Sequence, residues 1–310
     1  MTSTEYRNLA LAAALFALAA CLPFLGGAYL LTIGVTIAMY TVLATSWALF
    51  SGPTHYISLA TAAFFGLGTY TTGLGFEVLD YWLLIPLAAF LGAALAAIVG
   101  LATLRLSGVY FVIFTLGLAE LIRQLVTWWQ NESGQKGLYV LTDLTETHIY
   151  WQLLVLAALV YLTGWLIGRS RLGFALRIIG DDEEVARHSG INTARAKVLL
   201  FMVSGAAAAA TGAILAPRYI YIEPALAFTP MLSFQVVIMA LLGGTGRLWG
   251  PVVGVIPFTF LWEAISASFP NQTTLLLGLC FLVIVFVLPK GFVGLLTTVR
   301  TRMQAREAFQ

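Results

Sequence analysis

Apolar stretches of near-uniform length dominate the chain. They fall at residues 7–25, 29–49, 56–79, 81–104, 108–129, 149–168, 196–217, 231–243, 250–268 and 272–289. Each is taken as one helical crossing of a bilayer, which predicts an all-α, polytopic transmembrane bundle of about ten spans. Residues 1–310 then form a single membrane domain, with residues 169–197 as a polar loop inside it. The run at 231–243 is short for a full crossing. Residues 51–75 carry Gly52, Pro53, Gly66, Gly68, Gly73 and Gly75. Both regions suit broken or re-entrant helices, which moves the span count by one or two. Residues 58–66 and 233–243 each run from a serine through apolar positions to glycine, a trace of the kind an inverted repeat leaves.

One interruption carries dense charge. Residues 180–192 read GDDEEVARHSGIN. Asp181 or Asp182 caps a short helix, and Glu183 and Glu184 suit the positive end of its dipole. The helix continues through Val185, Ala186 and Arg187; Gly190 stops it with a positive φ, and Ile191 docks back beside it. Arg169, Arg171 and Arg177 precede the island, and Arg195 and Lys197 follow it. Nothing else in the chain offers this helix an evident packing surface, so the loop points to a cytoplasmic partner.

Charge placement gives the sidedness. Hydrophobic residues make up 60% of the chain and charged residues 10%, against about a quarter charged in soluble domains; a soluble protein is excluded. With the N-terminus inside, thirteen of the sixteen Lys and Arg fall on the cytoplasmic side: Arg7, Arg105, Arg169, Arg171, Arg177, Arg187, Arg195, Lys197, Arg247, Lys290, Arg300, Arg302 and Arg306. Only Lys136 and Arg218 fall outside, and Arg123 lies within a span. The positive-inside rule therefore puts both termini in the cytoplasm. The outer loops are acidic, and Trp128 and Trp129 suit an interfacial belt. Cys21 and Cys280 lie in apolar runs and are expected to be buried and unpaired, with residues 7–25 kept as a first span.

No catalytic constellation is visible. His55, His148 and His188 lack metal-ligand spacing, so no metal or cofactor is expected, nor a nucleic-acid partner. No phosphate loop with the G-x-x-x-x-G-K-[ST] pattern is present. The glycine-rich residues 241–251 are expected to form a tight cytoplasmic turn. Ionisable groups inside a membrane are candidates for function. Glu120 and Arg123, three residues apart, can pair on one helix, whereas Glu263 suits an interface. Gly205 with Ala209, and Ala208 with Gly212, have the spacing of a tight helix contact. Ser58, Thr61, Phe65, Thr69, Thr115 and Glu120 are the candidates for lining a solute path, although hydroxyls in such helices ordinarily bond to their own backbone.

Five segments, in order, carry a family likeness. ISLATAAFFGLGTY at 57–70 is similar to a S-L-G-H-A-A-F-F-G-I-G-A-Y segment, and residues 104–123 to an L-R-L-R-G-x-Y segment with the span after it. SRLGFALRIIG at 170–180, LGGTGRLWGP at 242–251 and PKGFVGL at 289–295 match later motifs. The chain resembles the LivM-type permease subunits of bacterial ABC importers for branched-chain amino acids. It departs from the pattern at Ala60 and Thr61, where the family has Gly-His, and in an outer loop reduced to GQKG at 134–137. The resemblance implies a bacterial inner-membrane permease paired with a LivH-like second permease. It implies two cytoplasmic ATPase subunits, so that ATP hydrolysis lies on separate chains, and a solute-binding protein. The island at 181–191 would be the coupling helix. Urea, short amides or other small carboxylic acids are alternative cargoes for the same architecture. An ion-coupled secondary transporter using Glu120 and Arg123 is the alternative of a different class.

Overall fold

The computed structural model describes residues 16–25, 27–103, 108–134, 137–140, 142–287, 291–292 and 294. Arg7, Arg105, Lys136, Lys290, Arg300, Arg302, Arg306 and residues 7–15 of the first apolar run lie outside them. After one turn of helix, α1 (Leu22–Leu25), come α2 (Ala28–Thr54), α3 (Thr61–Gly75), α4 (Tyr81–Thr103) and α5 (Val109–Ser133). β1 (Leu138–Tyr139) leads to α6 (Glu146–Arg169), then α7 (Arg171–Asp181), α8 (Glu183–His188) and α9 (Thr193–Leu215). β2 (Tyr221–Ile222) precedes α10 (Pro224–Ala227), α11 (Pro230–Gly243), α12 (Gly250–Ser268) and α13 (Thr273–Val287).

Among the described residues seven helical stretches are long and apolar enough to cross a membrane. They are α2, α4, α5, α6, α9 extended to Arg218, α10 joined with α11, and α12. The other expected crossings are short: α3 and α13 have 15 residues each, about 22 Å against a hydrocarbon core of about 30 Å. The glycine-rich region after Ser51 is indeed broken. α2 ends at His55, which has a positive φ of 57°, and residues 55–59 follow without helix before α3 begins. The order long helix, break, short helix, helix occurs twice, as α2–α3–α4 and as α9–α11–α12. The short member of each set packs on the long member of the other, α3 on α9 and α11 on α2.

Small residues set the packing at the centre. α9 is largely buried and lies against α2, α3 and α4. A Cβ on Gly92 would come 2.6 Å from the Gly205 carbonyl oxygen, and one on Gly205 would come 2.9 Å from that of Gly92. Only glycine lets the two backbones approach so closely. The small-residue spacing of Gly205, Ala209 and Gly212 therefore serves contacts within the chain.

Among the described residues, loop contacts fall into two groups. In one, β1 pairs antiparallel with β2, Leu138 opposite Ile222, and Arg218 pairs with Glu146 at 3.4 Å. In the other, His55, Gly180 and the turn at 244–249 come together. Three sequence expectations need correction. Asp181 is the last residue of α7, so only Asp182 caps the island helix. That helix also docks on its own chain, as described below, because buried partners await it. Cys21 is exposed; it and Cys280 are free thiols.

Candidate functional site

α8 is a six-residue helix closed at both ends. Asp182 Oδ1 accepts from the Glu184 and Val185 amides at 2.8 and 3.2 Å. At the other end Gly190 has φ +80°; its N–H donates to Arg187 O at 3.0 Å, and the Ile191 N–H reaches Ala186 O at 3.1 Å. This pair of bonds is the glycine-stopped Schellman arrangement. Alone, six residues would not hold a helix in water; the caps and the docking supply what length does not. Ala186 is fully buried, while Glu184, Val185 and Arg187 face outward.

The anchor is an ion pair. Glu183 accepts from Lys197 Nζ at 2.6 Å and from Arg187 at 2.9 Å. Lys197 is only 1% exposed and its ammonium lies 4.2 Å from the centre of the Tyr56 ring, an arrangement that adds cation–π attraction. Burial alone would raise the Glu183 pKa. The hydrogen bond and charge of Lys197, joined by Arg187, outweigh it, and the carboxyl is held below its usual range. A second tie lies alongside: His55 Nε2 donates to Gly180 O at 3.1 Å. The loop thus grips both His55 and Tyr56, the first residues of the non-helical segment between α2 and α3. A cleft of about 610 Å³ opens beside this grip, lined by Gly52, Pro53, His55, Arg177, Asp181 and Arg247 among others.

Residues 55–59 have no helix to satisfy their backbone, so side chains do so. Ser51 Oγ donates to Tyr56 O at 2.6 Å and Trp47 Nε1 to Ser58 O at 2.8 Å. The Leu59 amide donates to Thr115 Oγ1 at 3.0 Å, and Ser233 Oγ donates to Leu59 O at 2.8 Å. Ser233 Oγ also accepts from the Ala62 amide at 2.9 Å, in the first turn of α3. Three helices therefore converge on one break.

Of the solute-path candidates, the structure brings Ser58, Thr61 and Thr115 to this break, all buried. Ser58 Oγ accepts from the Ala60 amide at 3.2 Å. Phe65 and Thr69 lie farther along α3 against α9, where Thr69 donates to Phe65 O and Gly212 O at 3.0 and 3.2 Å. Glu120 stands apart. It is on the exposed side of α5, accepting from Arg123 Nε at 2.8 Å and Gln124 at 2.8 Å. Among the described residues no group of histidine, cysteine or carboxylate side chains could hold a metal ion.

A family model described as the branched-chain amino acid transport system / permease component matches residues 29–288, from the start of α2 to the end of α13. The chain belongs to this permease family. The High-affinity branched-chain amino acid transport system permease protein LivM of Escherichia coli (strain K12) is 26% identical, over 90% of this chain and 73% of its own length. LivH of the same organism, a permease protein of the same system by name, is 31% identical over 40% of each chain. The ribose import permease protein RbsC of Haemophilus influenzae is 25% identical over 44% of each. No solved structure matches the chain. This permease is a multi-pass membrane protein and a transport subunit.

Two residues of the permease site carry more than their sequence positions suggest. Lys197 reads as one more basic flank of the loop, yet it is the buried partner of Glu183. Its signal was its place inside the apolar run 196–217, where a lysine needs a partner. Ser233 reads only as the start of a repeat-like segment, and it bonds both sides of the break across more than 170 residues.

Proposed function

We propose that the chain is the membrane-spanning permease of an ATP-driven importer for branched-chain amino acids. It sits in a bacterial inner membrane with both termini in the cytoplasm. A LivH-like permease completes the pathway, two ATPase subunits supply the drive, and a solute-binding protein delivers the cargo. α8 is the coupling helix. The observation that carries this reading is the build of α8: its inner side is fixed to the bundle through Ala186 and Glu183, while its outer side presents Val185, Glu184 and Arg187 with no partner contact to explain Val185. An exposed valine flanked by charges suits a groove on a soluble protein. Force on α8 reaches the break at residues 55–60 through Lys197–Tyr56 and Gly180–His55, and from there Ser58, Thr61, Phe65, Thr69 and Thr115 carry it along the solute path. Glu120 stands apart from this line, on the outer side of α5 with Arg123 and Gln124.

The test is reconstitution of the complete complex in vesicles. Leucine uptake should need ATP on the α8 side and the binding protein on the other, and should ignore collapse of ion gradients. Uptake driven by an ion gradient without ATP would establish the secondary-transport reading instead. The half-length likeness to a ribose permease makes ribose, with urea and short amides, the competing cargoes to include.

A further inference from the structure

The cleft beside the His55–Gly180 tie has a polar mouth and an apolar depth. Its volume of about 610 Å³ is within the range of small-molecule sites. His55 at the end of α2, Arg177 and Asp181 of α7, and Thr245 and Arg247 of the turn between α11 and α12 line the mouth. Two guanidiniums thus stand against one carboxylate. Deeper in, the lining is Ala48 and Leu49 of α2, Ile167 of α6 and Leu248 of the turn. Along α2 it runs from Thr45 to Pro53, about 12 Å by helical rise. Leu49 and Leu248 meet at Gly164, where an added Cβ would come 2.8 Å from the first and 2.5 Å from the second.

The two arginines have donors to spare. Among the described residues neither Arg177 nor Arg247 has a carboxylate within 4 Å. Arg177 makes one long donation, to Gly168 O at 3.4 Å, and Arg247 lies 5.6 Å from the centre of the Trp249 ring. A guanidinium has five N–H donors in a planar fork that matches phosphate oxygens. The surroundings suit lipid. Val155, Leu159, Leu162 and Leu166 are exposed along one face of α6. At the end of that helix Arg169 lies over the Trp165 ring at 4.3 Å, a pairing of aromatic and basic residues expected at headgroup level. Gly168, one residue before, lines the cleft, and an added Cβ there meets nothing within 4 Å.

We propose that this cleft holds one anionic phospholipid, its phosphate between Arg177 and Arg247 and its glycerol and first acyl carbons between α2 and α6. A soluble phosphate would leave the apolar depth unfilled, and an uncharged chain would leave both arginines without a partner. A phospholipid meets both needs, and basic pockets between membrane helices on the cytoplasmic side take such headgroups. Gly180 and His55 line the same cleft, so the lipid packs beside the tie that joins α7 to α2. The orientation given above enters only in assigning the lipid to the cytoplasmic leaflet.

The experiment uses the full complex in detergent. Phosphatidylglycerol carrying a diazirine near the start of one acyl chain is added and irradiated, and adducts are mapped to peptides by mass spectrometry. Adducts within residues 45–53 and 164–168 are expected, several-fold fewer with the phosphatidylcholine analogue. Each arginine near an anionic headgroup is worth about fivefold in binding, so Arg177→Ala/Arg247→Ala should lose about 25-fold at subsaturating lipid. Gly168→Leu narrows the apolar part without touching either arginine and should also reduce labelling, with the complex recovered as for wild type. Equal labelling by the two lipids, or unchanged labelling in either variant, would overturn the proposal. Loss of labelling to an equal concentration of glycerol phosphate would overturn it too, because the cleft would then take a soluble phosphate. So would labelling of the chain alone but not of the complex, because a neighbouring subunit would then cover the cleft. Reporter fusions that place Ser189 outside would reverse the leaflet and leave the labelling result as it is, so the two failures are separate.

Discussion

The tie between Glu183 and Lys197 makes a quantitative prediction. Truncating Glu183 to alanine leaves the Lys197 ammonium, 1% exposed, without its carboxylate. Breaking one side of a fully buried pair costs about 3–5 kcal/mol. The Glu183 side chain is 29% exposed, so water offsets part of that and about 2–3 kcal/mol is the expected loss. At about 1.4 kcal/mol per decade this is a shift of roughly 30- to 150-fold toward undocked α8. Lys197→Met removes the buried charge and keeps an apolar stem of similar length, and the Glu183 it leaves behind is part-exposed and still paired with Arg187, so a smaller loss is expected. Thermal unfolding of the detergent-solubilised protein should therefore rank Glu183→Ala well below Lys197→Met, with Glu183→Ala/Lys197→Met restored toward wild type. The pair also predicts acid sensitivity. The Glu183 pKa is lowered in the fold, so its contribution is present above the ordinary carboxylate range near pH 4.3 and is lost as pH falls through the lower folded value. Glu183→Gln should lack that acid step. Equal stability of Glu183→Ala and Lys197→Met would refute the reasoning, because it would mean the buried ammonium does not need its partner.

Further outcomes follow from the same contacts. Glu120→Ala and Arg123→Ala should each leave an uncompensated charge and lower the yield of folded protein more than the double variant does; additive losses would show that the two side chains act independently. Thr115→Val removes the acceptor of the Leu59 amide, and leaving that buried donor unsatisfied should cost about 1–3 kcal/mol in thermal unfolding, with Thr115→Ser retaining most of it. Reporter fusions after Tyr139 should read as periplasmic and fusions after Ser189 as cytoplasmic; the reverse pattern would invert the proposed orientation.

What could be read in the sequence was local. Asp182, Gly190 and Ile191 announce the ends of α8 because capping needs only residues within a few positions of each other. The pairing of Glu120 with Arg123 follows from a single helix turn. The break after α2 was visible in Gly52, Pro53 and the glycines beyond, but its closure was not. Thr115 and Ser233, which satisfy Leu59, are 56 and 174 positions away, and no periodicity links positions so distant. In the sequence Lys197 reads only as a basic flank of the loop, since its burial depends on Tyr56 and Glu183 meeting it from two other elements. The island was extended one residue too far, to Asp181, because two successive aspartates are equivalent as caps until the backbone of one turns extended.

The central claim is that ATP hydrolysis acts on this bundle through α8, and Gly190→Val tests it most directly. Gly190 has φ +80° and an added Cβ there meets nothing within 4 Å, so valine acts mainly through backbone strain of about 1 kcal/mol or more. No membrane span is touched. In vesicles holding the variant, its sister, the ATPases and the binding protein, assembly should match wild type, while leucine uptake should collapse and solute-stimulated ATP hydrolysis should uncouple or vanish. Normal uptake at normal expression would contradict the claim, and α8 would not be the element that transmits the ATP cycle.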